Sequence, residues 1–141
     1  MKKESVSPSL ARAKRDRKAY RLIVAGSRDF DDYHLLCRKL DKICRKLDNI
    51  LVISGGARGA DKLGERWAFE RGWSIRVYHP DYKKYGKEAP FVRNTEMADD
   101  GQALVAFWNG SSNGTKDMIK KARKAGLKVK IIHVETERHE V

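Results

Sequence analysis

The feature that most constrains this chain is a repeated alternation of short apolar runs with segments of helical period. The runs occupy residues 21–25, 50–53, 74–78, 103–108 and 128–134, and several are apolar almost without interruption. Strands acquire that pattern when both of their faces are covered, as in a parallel sheet. Between the first two runs, Leu36, Leu40, Ile43 and Leu47 recur at spacings of four, three and four, which marks one face of a helix that Asp31 or Asp32 can cap. A second helix runs to about Arg71 with Ala60, Leu63, Trp67 and Ala68 on its inner side, and Gly72 is placed to end it. A shorter helix is expected over residues 91–99, and another over 114–125, closed by Gly126. Strand–helix alternation of this kind predicts the α/β class: a Rossmann-like three-layer fold with a mainly parallel sheet of about five strands and helices on both faces.

A length of 141 residues corresponds to one domain, and 40% hydrophobic residues suffice for a core without disulfide or metal support. The folded unit is expected over residues 21–134, between a basic, flexible extension (1–20) and a short C-terminal tail (135–141). The chain carries 31 basic and 19 acidic residues, a formal charge of +12. Seven of the basic side chains (Lys2, Lys3, Arg12, Lys14, Arg15, Arg17 and Lys18) fall in the first twenty residues, against Glu4 and Asp16. This excess favours anionic partners without choosing among nucleotides, nucleic acid and acidic surfaces.

Cys37 and Cys44 are the only cysteines. Seven residues along a helix is about 10 Å, too far for a disulfide. With no Cys/His ligand spacing, no metal site is expected, and reduced thiols imply a cytoplasmic setting. No apolar run reaches the ~18 residues of a membrane span. The basic start of the chain is not followed by the apolar segment of a signal peptide.

Residues with chemical potential gather just after the strands. In open parallel sheets ligands sit outside the strands' carboxyl ends, near the point where strand order reverses. Gly26, Ser27, Arg28 and Asp29 follow the first run. Gly55, Gly56, Ala57, Arg58, Gly59, Ala60 and Asp61 follow the second, and residues 109–116, with Gly110, Gly114 and Thr115, follow the fourth. Glycines let backbone approach a ligand, and helix N-termini offer unpaired N–H groups to an anion. The second loop lacks the Gly-Lys-Ser/Thr ending of a P-loop and the GxGxxG spacing of a nicotinamide or flavin site. Arg28, Arg58 and Arg93 are candidate phosphate partners, each with a surface salt bridge as the plainer role. Asp61 is expected to cap its helix or hold a ribose hydroxyl, and Trp108 to stack on a base or pack at the rim. The histidines (34, 79, 133 and 139) have no nucleophile near them in sequence.

Four ordered motifs carry a family resemblance: Ile23-Val-Ala-Gly-Ser-Arg-Asp-Phe30, Ile53-Ser-Gly-Gly-Ala-Arg-Gly-Ala-Asp61, Arg93-Asn-x-x-Met97, and Ala106-Phe-Trp-x-Gly110 with Gly114-Thr-Lys116. Over about residues 21–134 the chain resembles the YspA-like, cpYpsA-related branch of the SLOG superfamily, whose relatives include DprA (Smf) and the Lonely Guy phosphoribohydrolases. The resemblance implies a Rossmann-like sheet and a pocket for nucleotides or nucleotide-derived ligands. Lonely Guy enzymes use a Pro-Gly-Gly-x-Gly-Thr-x-x-Glu motif. Here the Gly114-Thr115 pair is kept, but the glutamate position is Met118, which cannot transfer protons. Asp117 is adjacent, though rotated by roughly 100° on a helix.

The leading expectation is binding of a nucleotide or nucleotide-derived phosphorylated ligand, in the manner of a sensor, with Gly26, Ser27, Arg28, Gly55, Gly56, Arg58, Gly59, Asp61, Arg93, Gly110, Gly114 and Thr115 around it. No further cofactor is implied. One alternative is a hydrolase of N-glycosidic or phosphoester bonds, with Arg93 and Asp117 as candidate catalytic groups. The other is DprA-like binding of single-stranded nucleic acid through the basic extension and the loop from Tyr82 to Lys87, where tyrosines and lysines interleave. A homo-oligomer is compatible with all three, and the sequence leaves catalysis open.

Overall fold

The computed structural model describes residues 18–136. In chain order the elements are β1 (Tyr20–Gly26), α1 (Tyr33–Ile43), β2 (Ile50–Ser54), α2 (Ala60–Arg71), β3 (Ser74–Val77), α3 (Tyr82–Tyr85), a 3-10 turn (Gly86–Glu88), α4 (Ala89–Asp100), β4 (Ala103–Trp108), α5 (Asn113–Lys124) and β5 (Lys128–His133). The basic extension and C-terminal tail expected from sequence lie almost wholly outside these residues.

All five strands are parallel, in the order β3-β2-β1-β4-β5. Strand β1 is the centre, and alternate side chains supply two cores. Leu22 and Val24 face Leu36, Leu40, Trp67 and Ala68 of α1 and α2. Ile23 and Ala25 face Met97, Ala98, Met118, Ile119 and Ala122 of α4 and α5. The result is the expected three-layer Rossmann-like arrangement, with continuous apolar sequence in β1, β2 and β4 because each is covered twice. The edges differ. Strand β5 reads Lys-Val-Lys-Ile-Ile-His, with both lysines exposed, so it alternates instead of running apolar throughout.

Local chemistry sets the element ends. Of the two candidate caps, Asp32 caps α1, its carboxylate accepting from Leu35 N at 3.0 Å. Gly72 ends α2 in the left-handed conformation. The segment from Tyr82, expected as a loop, is a helical turn, because the Asp81 carboxylate accepts from Lys84 N at 3.1 Å. Helix α4 begins two residues before the expected Phe91, with Pro90 in its first turn, where a missing N–H costs nothing. Across its C-terminus, Asp100 accepts from Arg76 Nη1 at 2.6 Å and Tyr78 Oη at 2.8 Å, and lies 3.5 Å from Arg21 Nε. This carboxylate fastens α4 to β1 and β3. No helix among the described residues is long and apolar enough to cross a membrane.

Gly64 sets how closely α2 lies on the sheet: a Cβ there would sit 2.7 Å from Val24 Cγ1. Gly64→Ala is therefore expected to destabilise the protein by about 1–3 kcal/mol despite the better helix propensity of alanine. Urea denaturation of the two proteins checks this, and an unchanged or higher midpoint would contradict the packing described.

Candidate functional site

Strand order reverses between β1 and β4, since β1 continues to β2 on one side and meets β4 on the other. The carboxyl ends of these strands open into a crevice of about 1180 Å³. It is lined from the three post-strand loops by Gly26, Arg28, Gly55, Gly56, Arg58 and Asp61, and by Ser111, Ser112, Asn113, Gly114 and Thr115. Helix α4 contributes Arg93, Asn94 and Met97, and α5 contributes Met118.

The reversal point is held shut by backbone. Ser27 N donates to Phe107 O at 2.9 Å, and Ser27 Oγ accepts from Asn109 N at 3.0 Å. Ser27 O in turn accepts from Ala60 N at 3.2 Å. One buried serine thus ties together the loops after β1, β2 and β4. Gly59, at a φ of +83°, passes so near the carbonyls of Ser27 and Arg28 that a side chain there has no room. Ser27 and Gly59, expected around a ligand, do not line the crevice, and neither does Gly110. Ser27 and Gly59 instead assemble its walls.

The glycine loop after β2 is held from three sides. Ser54 Oγ accepts from Gly56 N at 3.1 Å and donates to Glu65 at 2.6 Å. Asp61 Oδ2 accepts from Ala57 N at 3.2 Å. Arg93 Nη1 donates to Gly55 O and, at 3.4 Å, to Tyr78 O, while its Nε donates to Asn94 Oδ1 at 3.1 Å. Its Nη2 carries none of these bonds and remains able to meet an anion.

Asp61 is buried at 6% exposure, yet it lines the crevice. Burial pushes its pKa up to about 7, opposed by the Ala57 N–H and by the charge of Arg93. A carboxyl that titrates near neutrality can donate a hydrogen bond when protonated and only accept them when ionised.

On the opposite wall, Asn109 Oδ1 accepts from Ser111 N at 2.9 Å and Ser112 N at 3.0 Å, an Asx turn leading into α5. No side chain caps α5, and its first turn carries no acid. The first N–H groups of the helix therefore open on the crevice beside the Thr115 hydroxyl, a favourable environment for an anion. Trp108 is not among the lining residues; it packs, half-buried, against the core under α4 and α5, its indole N–H donating to Ser112 O at 3.1 Å.

The outer wall carries Tyr82, expected from sequence only as part of a nucleic-acid-binding loop, and residues with no expected role there. His79, Pro80, Tyr82, Phe91 and Thr136 all face the crevice. His79 lies 3.4 Å from where a Cβ on Gly56 would stand, a proximity that no local motif signals. Of the paired tyrosines in α3, Tyr82 lines the crevice and is 60% exposed, whereas Lys84 lies over the Tyr85 ring at 5.2 Å. Arg28 is exposed at the rim, and Arg58 pairs loosely with Asp29 at 3.4 Å in solvent. Asp117, the acidic catalytic candidate, is turned elsewhere. It accepts from Asn94 Nδ2 and Lys121 Nζ, each at 3.0 Å, and does not line the crevice. Among the described residues no group of His, Cys, Asp and Glu is arranged to hold a metal ion.

The raised pKa of Asp61 has a sign. Between about pH 4 and 7 the folded protein holds a proton that the unfolded chain releases, so this group's contribution to stability falls as pH rises through that window. Asp61→Asn, which keeps an acceptor for Ala57 N, should therefore gain stability relative to the parent from pH 4 to 7 and level off above. Chemical denaturation at a series of pH values checks this. A stability difference that does not change with pH would show that Asp61 is not desolvated.

Comparison with known proteins agrees with this architecture. The model of the YspA, cpYpsA-related SLOG family matches residues 20–85, which hold the first two glycine loops. The Gene 61 protein of Mycobacterium phage D29 is 34% identical over 116 residues, covering 77% of this chain and 93% of that protein. Among solved structures, DNA processing protein A (DprA) from Streptococcus pneumoniae aligns with a TM-score of 0.67 at 16% identity, over 86% of this chain. The match spans 53% of the DprA chain, about half its length, and the likeness is one of fold. Motifs, fold and full-length relative coincide: the chain belongs to the YspA, cpYpsA-related SLOG family.

Proposed function

We propose that the crevice binds a nucleotide or nucleotide-derived phosphorylated ligand, as a sensor does, without turning it over. The observation that carries this reading is the meeting of three loops at the strand reversal around one buried carboxyl, Asp61, and one half-buried guanidinium, Arg93. Phosphate oxygens would take the free N–H groups of Asn113, Gly114 and Thr115, where helix dipole and unpaired donors act together. A sugar hydroxyl would meet Asp61, and the exposed ring of Tyr82 offers a face for a base. The crevice exceeds the volume of most drug-sized ligand sites, so a dinucleotide or a short stretch of polynucleotide would also fit.

Two side chains support the reading of binding without turnover. Met118, at the position of the glutamate in the related hydrolases, is 2% exposed and packs in the core beneath the crevice. Asp117 is committed to Lys121 and Asn94. Neither supplies a general acid to a bond within the crevice.

A thermal-shift panel of mono-, di- and cyclic nucleotides with ADP-ribose derivatives tests the binding. At a ligand concentration a hundred times Kd, stabilisation should be about 2.7 kcal/mol. Thr115→Val removes a hydroxyl at the helix N-terminus, and Arg93→Ala removes the guanidinium. We expect the first to weaken binding by roughly threefold to tenfold and the second by roughly tenfold to a hundredfold. A folded protein that no member of the panel stabilises would overturn the proposal. Chromatography of the same incubations should recover the nucleotides intact, and release of free base or phosphate would contradict the second half of it.

A further inference from the structure

A second charged surface lies away from the crevice, at the open edge of the sheet. The C-terminal part of α1 and the turn after it carry Lys39, Lys42, Arg45 and Lys46, and β5 brings Lys130 up beside them. Together they surround a groove of about 420 Å³ floored by Ile43 and Ile132. Lys128 continues the row along β5, opposite Ala103 at the start of β4. All six cations are exposed, and none has an ion-pair partner among the described residues. Asp41, the acid on the same helix, is taken by Arg71 and by the Trp67 indole on the other side.

Structural needs account for only part of this charge. Lysines on an edge strand prevent unwanted strand pairing, which explains Lys128 and Lys130. A cation in the last turn of a helix offsets its dipole, which explains Lys42. Lys39, Arg45 and Lys46 remain. Lys39 and Lys42 are three apart on one helix, a like-charge spacing that disfavours the helix by a few tenths of a kcal/mol. A cluster kept against its own repulsion, with no acid inside it, is complementary to a dense polyanion.

From these observations we infer that this edge is a binding surface for the phosphate backbone of a nucleic-acid duplex. The lining contains only cations and two aliphatic side chains, so it lacks the aromatic platforms on which successive bases stack in single-strand sites. Recognition would be of phosphates, independent of sequence and steeply sensitive to salt. It does not depend on the nucleotide reading of the crevice, which lies at the other ends of the strands.

Fluorescence anisotropy with the full chain and a labelled 20-base-pair DNA duplex, over a range of salt concentrations, tests the inference. Two variants of equal charge loss are compared: Lys42→Ala/Lys46→Ala/Lys130→Ala, and Lys116→Ala/Lys120→Ala/Arg123→Ala on the exposed face of α5. The first should lower the slope of log K against log salt by roughly 2.7 and weaken binding at least about tenfold at fixed salt. The second should change the slope by less than about one. Equal losses in both variants would mean that net charge alone attracts DNA, and no loss in the first would empty the groove of its role; either overturns the inference. Poly-glutamate that competes as well as duplex at equal charge would overturn it in favour of an acidic protein partner. Because all six substitutions are at the surface, unchanged circular dichroism and a melting temperature within about 4 °C of the parent are expected for both variants.

Discussion

The structure depends on a close approach of backbone at the point where strand order reverses. Ser27 offers its N–H, its hydroxyl and its carbonyl to three different neighbours, on β4, on the loop after β4, and at the start of α2. The loops can come this near only because Gly26 presents no Cβ toward Phe107 and Ala60, and Gly59 none toward Ser27 and Arg28. The three post-strand loops of the crevice are positioned from this seam. If it loosened, the glycine loop after β2 and the helix N-terminus of α5 would no longer face one another.

Electrostatics then distinguishes the two walls. One holds Asp61, desolvated and titrating near neutrality, under the field of Arg93. The other is the uncapped start of α5, with partial positive charge and no acidic side chain in its first turn. A ligand with hydroxyls at one end and phosphate at the other meets both demands. Between the walls lies an apolar floor that includes Met97 and Met118.

Much of the fold was legible because its central strands are covered twice. Runs such as Leu22 to Ala25 and Ala103 to Phe107 stay apolar at every position, and the turns that follow them carry the glycines. Edge strand β5 was harder to read, since its exposed lysines break the run while its register with β4 keeps it in the sheet. Sequence also located the loops of the crevice and most of the residues that line it, but not every residue's direction. Ser27 and Gly59 sit in the right loops and point into the seam, and Asp117 turns to Lys121 one helical turn on. Direction within a loop is set by contacts between segments far apart in sequence, such as Asn109 N with Ser27 Oγ, and no local pattern encodes it. His79 and Tyr82 join the crevice for the same reason, through the path of the chain after β3.

The central claim is that one ligand bridges the two walls at the strand reversal. Amide chemical-shift mapping by NMR during titration with the best-binding nucleotide tests it most directly. The account predicts that shifts concentrate on Gly55, Gly56 and Ala57 on one wall and on Asn113, Gly114 and Thr115 on the other, moving together with a single Kd. Perturbation confined to one wall, or centred on residues outside the crevice, would contradict it.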